Sequence, residues 1–236
     1  LLALIHAFLT VTLRANQVVS GLAVTLFGTG LSGYLGQDYV GQPAGAVFGK
    51  IAVPLLSDIP IIGSILFKQD ALVYISYFLV PLAAWYFYKT RSGLFLRAMG
   101  ENPAAVDAAG INVFGLRYLY IVVGGALAGV AGAYLSLAYA PSWLENMTAG
   151  RGWIAVALVI FALWDPWRAM AGSYLFGGID ALGFNLQVLG VPVSGFILNM
   201  LPYIFTVLVL VLVLKRRGGR SASPQALGLS YDREER

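Results

Sequence analysis

Long apolar runs separated by short polar breaks are the feature that most limits how this chain can fold. A membrane-spanning helix needs about 20 mostly apolar residues, and the runs near residues 17–36, 114–139 and 195–214 reach that length. Hydrophobic residues make up 59% of the sequence and charged residues only 11%, against roughly 25% charged residues in soluble domains. We therefore predict an all-α fold, a polytopic bundle of transmembrane helices.

About six to seven spans are visible in the apolar pattern. They are a partial span that ends near Leu13 and runs near 17–36, 71–88, 114–139, 152–164, 169–187 and 195–214. The run near 152–164 has about 13 residues, too few to cross roughly 30 Å of hydrocarbon at 1.5 Å per residue, so we expect a broken or tilted helix there. The sequence begins inside an apolar run with neither an initiator Met nor a signal-peptide pattern, so we expect a truncated N-terminus.

The positions of the basic residues predict the orientation of the spans. If the C-terminal tail is cytoplasmic, alternating the spans backwards places only Lys50, Lys68 and Arg151 outside, of the 15 Lys and Arg residues. This asymmetry is typical of the positive-inside rule.

The same pattern divides the chain into a membrane domain and a tail. A transmembrane domain would cover 1–214, with an outside loop at 37–70 and an inside segment at 89–113. Residues 215–236 would form a basic, disordered cytoplasmic tail. Its KRRGGR sequence is better explained as the positive flank of a last span than as a nucleic-acid site.

The inside segment contains a short polar stretch, LRAMGENPAAVDAAGINV, at 96–113. Asn102 suits an N-cap, Pro103 the first helical position and Gly110 the left-handed residue after a helix, so the pattern predicts a two-turn helix over 103–109. A helix this short is marginal alone because nucleation is unfavourable, so something must pack against it. It is either a connector resting on its own bundle or a docking element for a cytoplasmic partner.

The sequence contains no convincing catalytic or metal-binding constellation. It has no Cys and a single His, His6, which excludes disulfides, a thiolate metal site and a histidine cluster. The closest approach to a phosphate-binding loop, GAVFGKI at 45–51, has the wrong spacing and lacks the Ser or Thr. We therefore expect neither an ATPase site nor a cofactor in this chain, and an intramembrane enzyme is the least favoured class.

Three segments resemble one family of transport proteins. Residues 92–113, SGLFLRAMGENPAAVDAAGINV, resemble the cytoplasmic coupling segment in permease subunits of ABC importers of the branched-chain amino acid, simple sugar and nucleoside type. Residues 145–166, ENMTAGRGWIAVALVIFALWDP, and 13–30, LRANQVVSGLAVTLFGTG, are similar to the nucleoside and simple-sugar branch. That branch often has Gly, a basic residue and Trp-Asn-Pro after Ile-Phe, where this chain has ALWDP at 162–166. The chain thus lacks the Gly on which a turn could depend.

The resemblance implies a permease subunit that forms half, or a pseudo-half, of a pathway for nucleosides or simple sugars. It implies a cytoplasmic ABC ATPase subunit that binds ATP and Mg, a second permease subunit, identical or homologous, and an extracytoplasmic substrate-binding protein or lipoprotein. The chain would lie in the inner, plasma membrane of a prokaryote, in contact with lipid. The alternative is an ion-gradient-driven secondary transporter of a small polar solute, which a broken helix and the intramembrane Asp180 would suit.

The resemblance also indicates which residues couple the permease to the ATPase. Polar contacts would come from Arg97, Glu101 and Asp107. The shape of the segment would depend on Asn102, Pro103 and Gly110.

Two further groups of residues are candidates within the spans. Polar groups in a membrane are costly unless they meet a partner or a wet cavity, so each is either a pathway residue or a structural hydrogen-bonding group. The pathway candidates are Asn16, Gln17, Thr25, Thr29, Asp180 and Asn185. Small residues let helix backbones approach closely, so Gly125 and Gly129, with Gly132 on an adjoining stripe, predict close helix packing in the fourth span.

Overall fold

The computed structural model describes residues 1–60, 62–148, 150–190, 194–216 and 223–233. Its helices are α1 Leu2–Ala7, α2 Gln17–Gly36, α3 Ile62–Leu66, α4 Ala71–Lys89, α5 Arg91–Glu101, α6 Pro103–Ala108, α7 Val113–Tyr134, α8 Arg151–Ala162, α9 Pro166–Val188 and α10 Gly195–Arg216. π-Helical turns at Phe8–Thr12 and Leu135–Tyr139 continue α1 and α7. Two short antiparallel strands, β1 Ile51–Ala52 and β2 Lys68–Gln69, pair Ile51 with Gln69.

Three of the described helical segments are long and apolar enough to cross a membrane: Gln17–Tyr39, Ala71–Lys89 and Val113–Tyr139. They coincide with three predicted spans. Almost none of their residues is buried within the chain, so these apolar surfaces require lipid or another protein against them. The prediction of an all-α integral membrane protein is confirmed, while the number of crossings stays a prediction.

The chain divides into two compact units, of which the first comprises Leu1–Leu79, Arg91–Ala149 and Gln225–Arg236. Within it, α1 packs mainly on α7 and also on α2. The hydroxyls of Thr12 and Tyr118 lie 2.5 Å apart and join the end of the α1 segment to α7. This unit contains two of the three long apolar helical segments and the beginning of the third.

The segment predicted as an outside loop forms part of the first unit. Its described residues form a 3₁₀ turn at Gln37–Tyr39, the β1–β2 pair and the short helix α3, without a long apolar helix. Val40 forms an isolated bridge with Trp143, beyond the end of α7. Asp70 ends the segment as the N-cap of α4, because its carboxylate accepts from the backbone N–H groups of residues 72 and 73 at 2.9 and 3.1 Å.

The second unit comprises Val80–Thr90 and Gly150–Pro224. Its helices α8, α9 and α10 pack on one another, and the rings of Phe176 and Phe205 meet edge to face at 5.5 Å between centroids. α8 has 12 residues and is therefore about 18 Å long. It is as short as the sequence predicts, and shorter than the hydrocarbon thickness.

In residues 223–233 the structure of the tail differs from the predicted disorder. The prediction is a disordered segment over 215–236, yet Gln225–Arg236 belongs to the first compact unit and Tyr231 is 8% exposed. The reason is local: this stretch contains an aromatic ring and charged side chains that find partners on α6 and α7.

Candidate functional site

α6 lies where the sequence predicts a short helix between the third and fourth candidate spans. The side-chain oxygen of Asn102 accepts a hydrogen bond from the Ala105 N–H at 3.1 Å, which is an N-cap. Pro103 occupies the first helical position. Gly110 has a φ of +80°, the left-handed conformation that ends a helix at no Cβ cost. The three residues therefore give the segment its shape, while their role in coupling stays a prediction.

The residues just before α6 form α5, a helix that the sequence analysis missed. Its buried residues are Gly93 and Met99, and Leu96 packs against the same cluster as Met99. The spacing of three between Leu96 and Met99 is a helical signal that could have revealed it. Arg97 and Glu101, two predicted partner contacts, lie on α5 and are exposed.

α6 buries one apolar side chain and exposes its alanines. Val106 is 4% exposed and packs with Met99 and Val113 in a small core. This core provides the packing that so short a helix needs. The exposed alanines in and just after the helix are Ala104, Ala105, Ala108 and Ala109. They form an apolar surface with almost no side-chain entropy to lose on binding.

Asp107, the third predicted partner contact, is held by the tail. Its side chain is 6% exposed and accepts hydrogen bonds from Arg233 Nε at 2.8 Å, Arg233 Nη2 at 2.5 Å and the Tyr231 hydroxyl at 3.0 Å. The hydrogen bond and the charge of Asp107 raise the pKa of Arg233 above its ordinary value. A cleft of about 420 Å³ opens beside the pair, lined by Asp107, Gly110, Ile111, Asn112, Phe114 and Arg233.

The pathway candidates near the start of α2 make local hydrogen bonds. Asn16 N-caps α2, because its side-chain oxygen accepts from the N–H groups of residues 18 and 19 at 2.9 and 3.1 Å. Thr25 and Thr29 donate their hydroxyls to the carbonyls one helical turn back, at 2.8 and 3.0 Å. These bonds satisfy the polar groups within one helix while leaving the two Thr residues exposed. Gln17 is partly buried.

Asp180 lies within the second unit opposite a cation. Arg151, at the start of α8, places Nη2 3.8 Å from Asp180 Oδ2. Both side chains are about half exposed, so the pair is an accessible polar contact between α8 and α9. Asn185, one helical turn beyond 181, donates its side-chain N–H to the Ala181 carbonyl at 2.8 Å.

The three glycines of the predicted stripe lie in different environments. A Cβ atom on Gly125 would overlap the side chain of Ala3, so α1 and α7 approach closely at this point. Gly129 and Gly132 have no neighbouring atoms within 4 Å of the position of a Cβ. Within the described residues, only the first of the three is in a close helix contact.

The turn between α8 and α9 forms without Gly. Leu163 and Trp164 adopt left-handed φ values of 57° and 59°, a conformation that costs an L-residue about 1–2 kcal/mol. Asp165 then N-caps α9 by accepting from the Arg168 N–H at 2.9 Å, and it also accepts the Tyr88 hydroxyl at 2.7 Å. These two hydrogen bonds lower the pKa of Asp165. The local departure from the family pattern is thus accommodated by strained backbone.

One polar contact within the spans was not anticipated. His6 Nδ1 lies 3.0 Å from the hydroxyl of Ser20, which is 5% exposed, and joins α1 to α2.

Among the residues that the structure describes, no group of three or more His, Cys, Asp or Glu could hold a metal ion.

The long, mostly exposed apolar helices, with the short capped helix α6 between two of them in the sequence, define an α-helical integral membrane protein. Residues 1–214 match the family described as the permease component of the branched-chain amino acid transport system. The chain therefore belongs to this family, and it is a transmembrane permease subunit of an ABC importer.

Relatives from three organisms cover nearly the whole chain. TsgC13 of Haloferax volcanii, named as a candidate glucose ABC transporter permease, is 40% identical over 99% of this chain and 78% of its own length. The nucleoside ABC transporter permease NupC of Lactococcus lactis is 39% identical over 96% of this chain and 72% of its own length. The guanosine ABC transporter permease NupQ of Bacillus subtilis is 32% identical over 98% and 73%. No solved structure matches the chain significantly.

Proposed function

We propose that this permease forms a membrane pathway for nucleosides or simple sugars and is driven by a separate ATPase subunit that docks on α6. The observation that carries the docking proposal is the geometry of α6, a capped helix with an exposed alanine surface between two apolar helices. The names of three relatives, which specify glucose, nucleosides and guanosine, support the substrate class.

The coupling mechanism follows from how α6 is attached. It is fixed at one end to α5 and, through the Val106 core, to the beginning of α7. A displacement of α6 by ATP-driven closure of the ATPase would therefore move α7 as well, because packed cores transmit shifts instead of absorbing them. Arg97 and Glu101, both exposed on α5, would make the polar contacts with the ATPase, and Asn102, Pro103 and Gly110 would keep the helix in shape.

The remaining partners and the orientation are part of the proposal. ATP and Mg would bind to the ATPase subunit, a second permease subunit would complete the pathway, and an extracytoplasmic binding protein would deliver the substrate. The tail and residues 89–113 would face the cytoplasm of a prokaryotic cell, and residues 37–70 the outside. The distribution of Lys and Arg supports this orientation.

Orientation can be tested directly because the chain has no Cys. Single-cysteine variants at Ala108, on α6, and at Ala46, in the 37–70 segment, provide one reporter for each side. We expect a membrane-impermeant thiol reagent added to intact cells to label A46C, and to label A108C only after the membrane is opened. Labelling of A108C from outside would refute the docking proposal.

Transport is tested by reconstitution with the ATPase and the binding protein. We expect uptake of labelled nucleosides or simple sugars that requires ATP and persists when ionophores remove ion gradients. The alternative, a secondary transporter, is favoured by Asp180, which lies in a predicted span 3.8 Å from Arg151, because ionisable residues within membranes often mark ion pathways. It predicts uptake without an ATPase and loss of uptake with the gradient. Uptake of branched-chain amino acids alone would contradict the proposed substrate class.

A further inference from the structure

The end of the chain covers part of the coupling segment. Residues 225–233, which we name the C-terminal clasp, belong to the same compact unit as α5, α6 and α7. The Ala226 N–H donates to the Gly100 carbonyl at 2.9 Å, and Arg117 Nη1 donates to the Leu229 carbonyl at 3.0 Å. These two contacts with the clasp backbone connect it to the end of α5 and to the beginning of α7.

Tyr231 fixes the clasp in the core beneath α6. Its ring is buried with Met99 and Val106, and its centroid lies 5.8 Å from that of Phe114. The guanidinium carbon of Arg117 lies 5.9 Å from the centre of the same ring, within the range of a cation–π contact. An aromatic ring buried in this way contributes apolar area and orientation together, so the clasp completes this core.

Asp107 holds the clasp on α6 through polar contacts. Its nearly buried carboxylate accepts three hydrogen bonds from Arg233 and Tyr231. Removing such a carboxylate from its cation is costly because a buried charge would lose its compensation. A second ion pair, between Asp232 and Arg14, connects the clasp to the turn before α2. Asp107 is therefore already engaged within the chain.

The clasp also presents apolar side chains outward. Leu227 and Leu229 are each 59% exposed, in the segment whose Tyr231 and Arg233 bind Asp107 on α6. Exposed apolar groups on a segment attached to α6 add to the apolar area available to a partner.

We propose that the clasp stays closed in the working transporter and forms, with α6, a single docking surface for the ATPase subunit. Leu227 and Leu229 extend the alanine surface, and Asp107 positions the clasp without contacting the ATPase. The inference rests on the proposed function. It specifies the partner's chemistry: an apolar cleft that admits a two-turn helix together with the turn at 225–228 and the residues just after it.

Exchanging the charges of Asp107 and Arg233 distinguishes an internal role of Asp107 from a direct contact of Asp107 with the ATPase. We expect D107R and R233D each to lower several-fold the amount of ATPase retained on affinity-purified permease, and the double variant D107R/R233D to restore most of it. D38R, an exposed acid in the 37–70 segment, is the matched control and should retain the ATPase. Failure of the double variant to restore binding, with the protein folded, would overturn the role assigned to Asp107.

An engineered disulfide tests whether the clasp must open. In this cysteine-free chain, the pair G100C/A226C lies across the 2.9 Å backbone hydrogen bond. We expect oxidation to cross-link this pair, but not G100C/A46C, and the cross-linked permease to bind the ATPase and transport as well as the reduced form. Absence of the cross-link, or loss of binding on cross-linking, would overturn the proposal.

The two proposals can fail separately. Cross-linking is measured on the permease alone and reports on the clasp whether or not an ATPase binds. If unmodified permease retains no ATPase at all, the proposed function fails, and the docking surface fails with it. If the ATPase binds equally well to a permease that ends at residue 224, the proposed function survives and the clasp proposal fails.

Discussion

Replacing Gly125 by Ala should destabilise the permease, whereas the same change at Gly129 should not. Both glycines lie on α7, four residues apart. A Cβ at 125 would overlap Ala3, whose side chain is a single methyl and cannot turn away, so α1 itself must move. A Cβ at 129 meets nothing within 4 Å. The two variants therefore add the same methyl group to a tight site and to an open site.

The expected magnitudes are distinct. Overpacking a close contact costs about 1–3 kcal/mol, and a Tm shift of about 2–4 °C per kcal/mol for a chain of this size gives a fall of roughly 2–12 °C for G125A. For G129A the gain in helix propensity, about 0.5–1 kcal/mol, predicts a small rise. Because α1 rests mainly on α7, the loss should appear as early exposure of α1.

The assay is thermal unfolding of the purified permease in mild detergent, under one scan rate for all variants. Proteolysis near the N-terminus reports separately on the release of α1. Equal Tm values for G125A and the unmodified protein would refute the close contact of α1 with α7. A larger fall for G129A than for G125A would show that the second glycine packs against another subunit.

Three further predictions concern polar contacts. N102A removes the N-cap of α6, so it should cost about 1 kcal/mol and lower ATPase retention, while N102D should preserve both; equal retention by N102A would contradict the cap's importance. The lowered pKa of Asp165 implies a stabilisation that is complete above its ordinary pKa of 3.8 and disappears as pH falls through the lowered folded value. In measurements of Tm against pH, D165N should therefore lack this loss of stability on the acid side. An unchanged loss in D165N would contradict the role of Asp165. R151Q should lower the Tm because it removes a cation 3.8 Å from Asp180, and R151Q/D180N should recover part of the loss; no recovery would exclude a stabilising pair.

Local patterns predicted the helices well. The apolar runs at 17–36, 71–88 and 114–139 correspond to α2, α4 and the α7 segment within a few residues, because a continuous apolar run dominates the free energy of insertion. Asn102, Pro103 and Gly110 marked α6 equally well, since caps act over only three or four residues. α5 was missed because its three charged residues, Arg91, Arg97 and Glu101, outweighed the apolar spacing of Leu96 and Met99.

Local sequence patterns could not predict contacts between residues that are far apart in the sequence. A stripe of small residues shows where helices could approach closely, but only the placement of α1 decides that Gly125 is in contact while Gly129 is not. The left-handed backbone at Leu163 and Trp164 was equally unexpected, because nothing in ALWDP supplies the Gly or Asn that usually adopts it. For Gly125 the decisive partner, Ala3, lies far outside the local sequence window.

Asp107 shows how such a long-range contact changes a functional assignment. Its position on a short helix facing the proposed partner makes an intermolecular salt bridge the natural prediction, and the SYDREER tail has the composition of a solvated end. The tail nevertheless contributes Tyr231, an apolar ring with a polar tip, and Arg233, whose planar guanidinium binds a carboxylate through two hydrogen bonds. Burying the ring brings the guanidinium to Asp107, so one acid is withdrawn from the outer surface of α6. The exposed surface of α6 that remains is apolar. Recognition by the ATPase should therefore depend on shape at the alanines and on charge at Arg97 and Glu101.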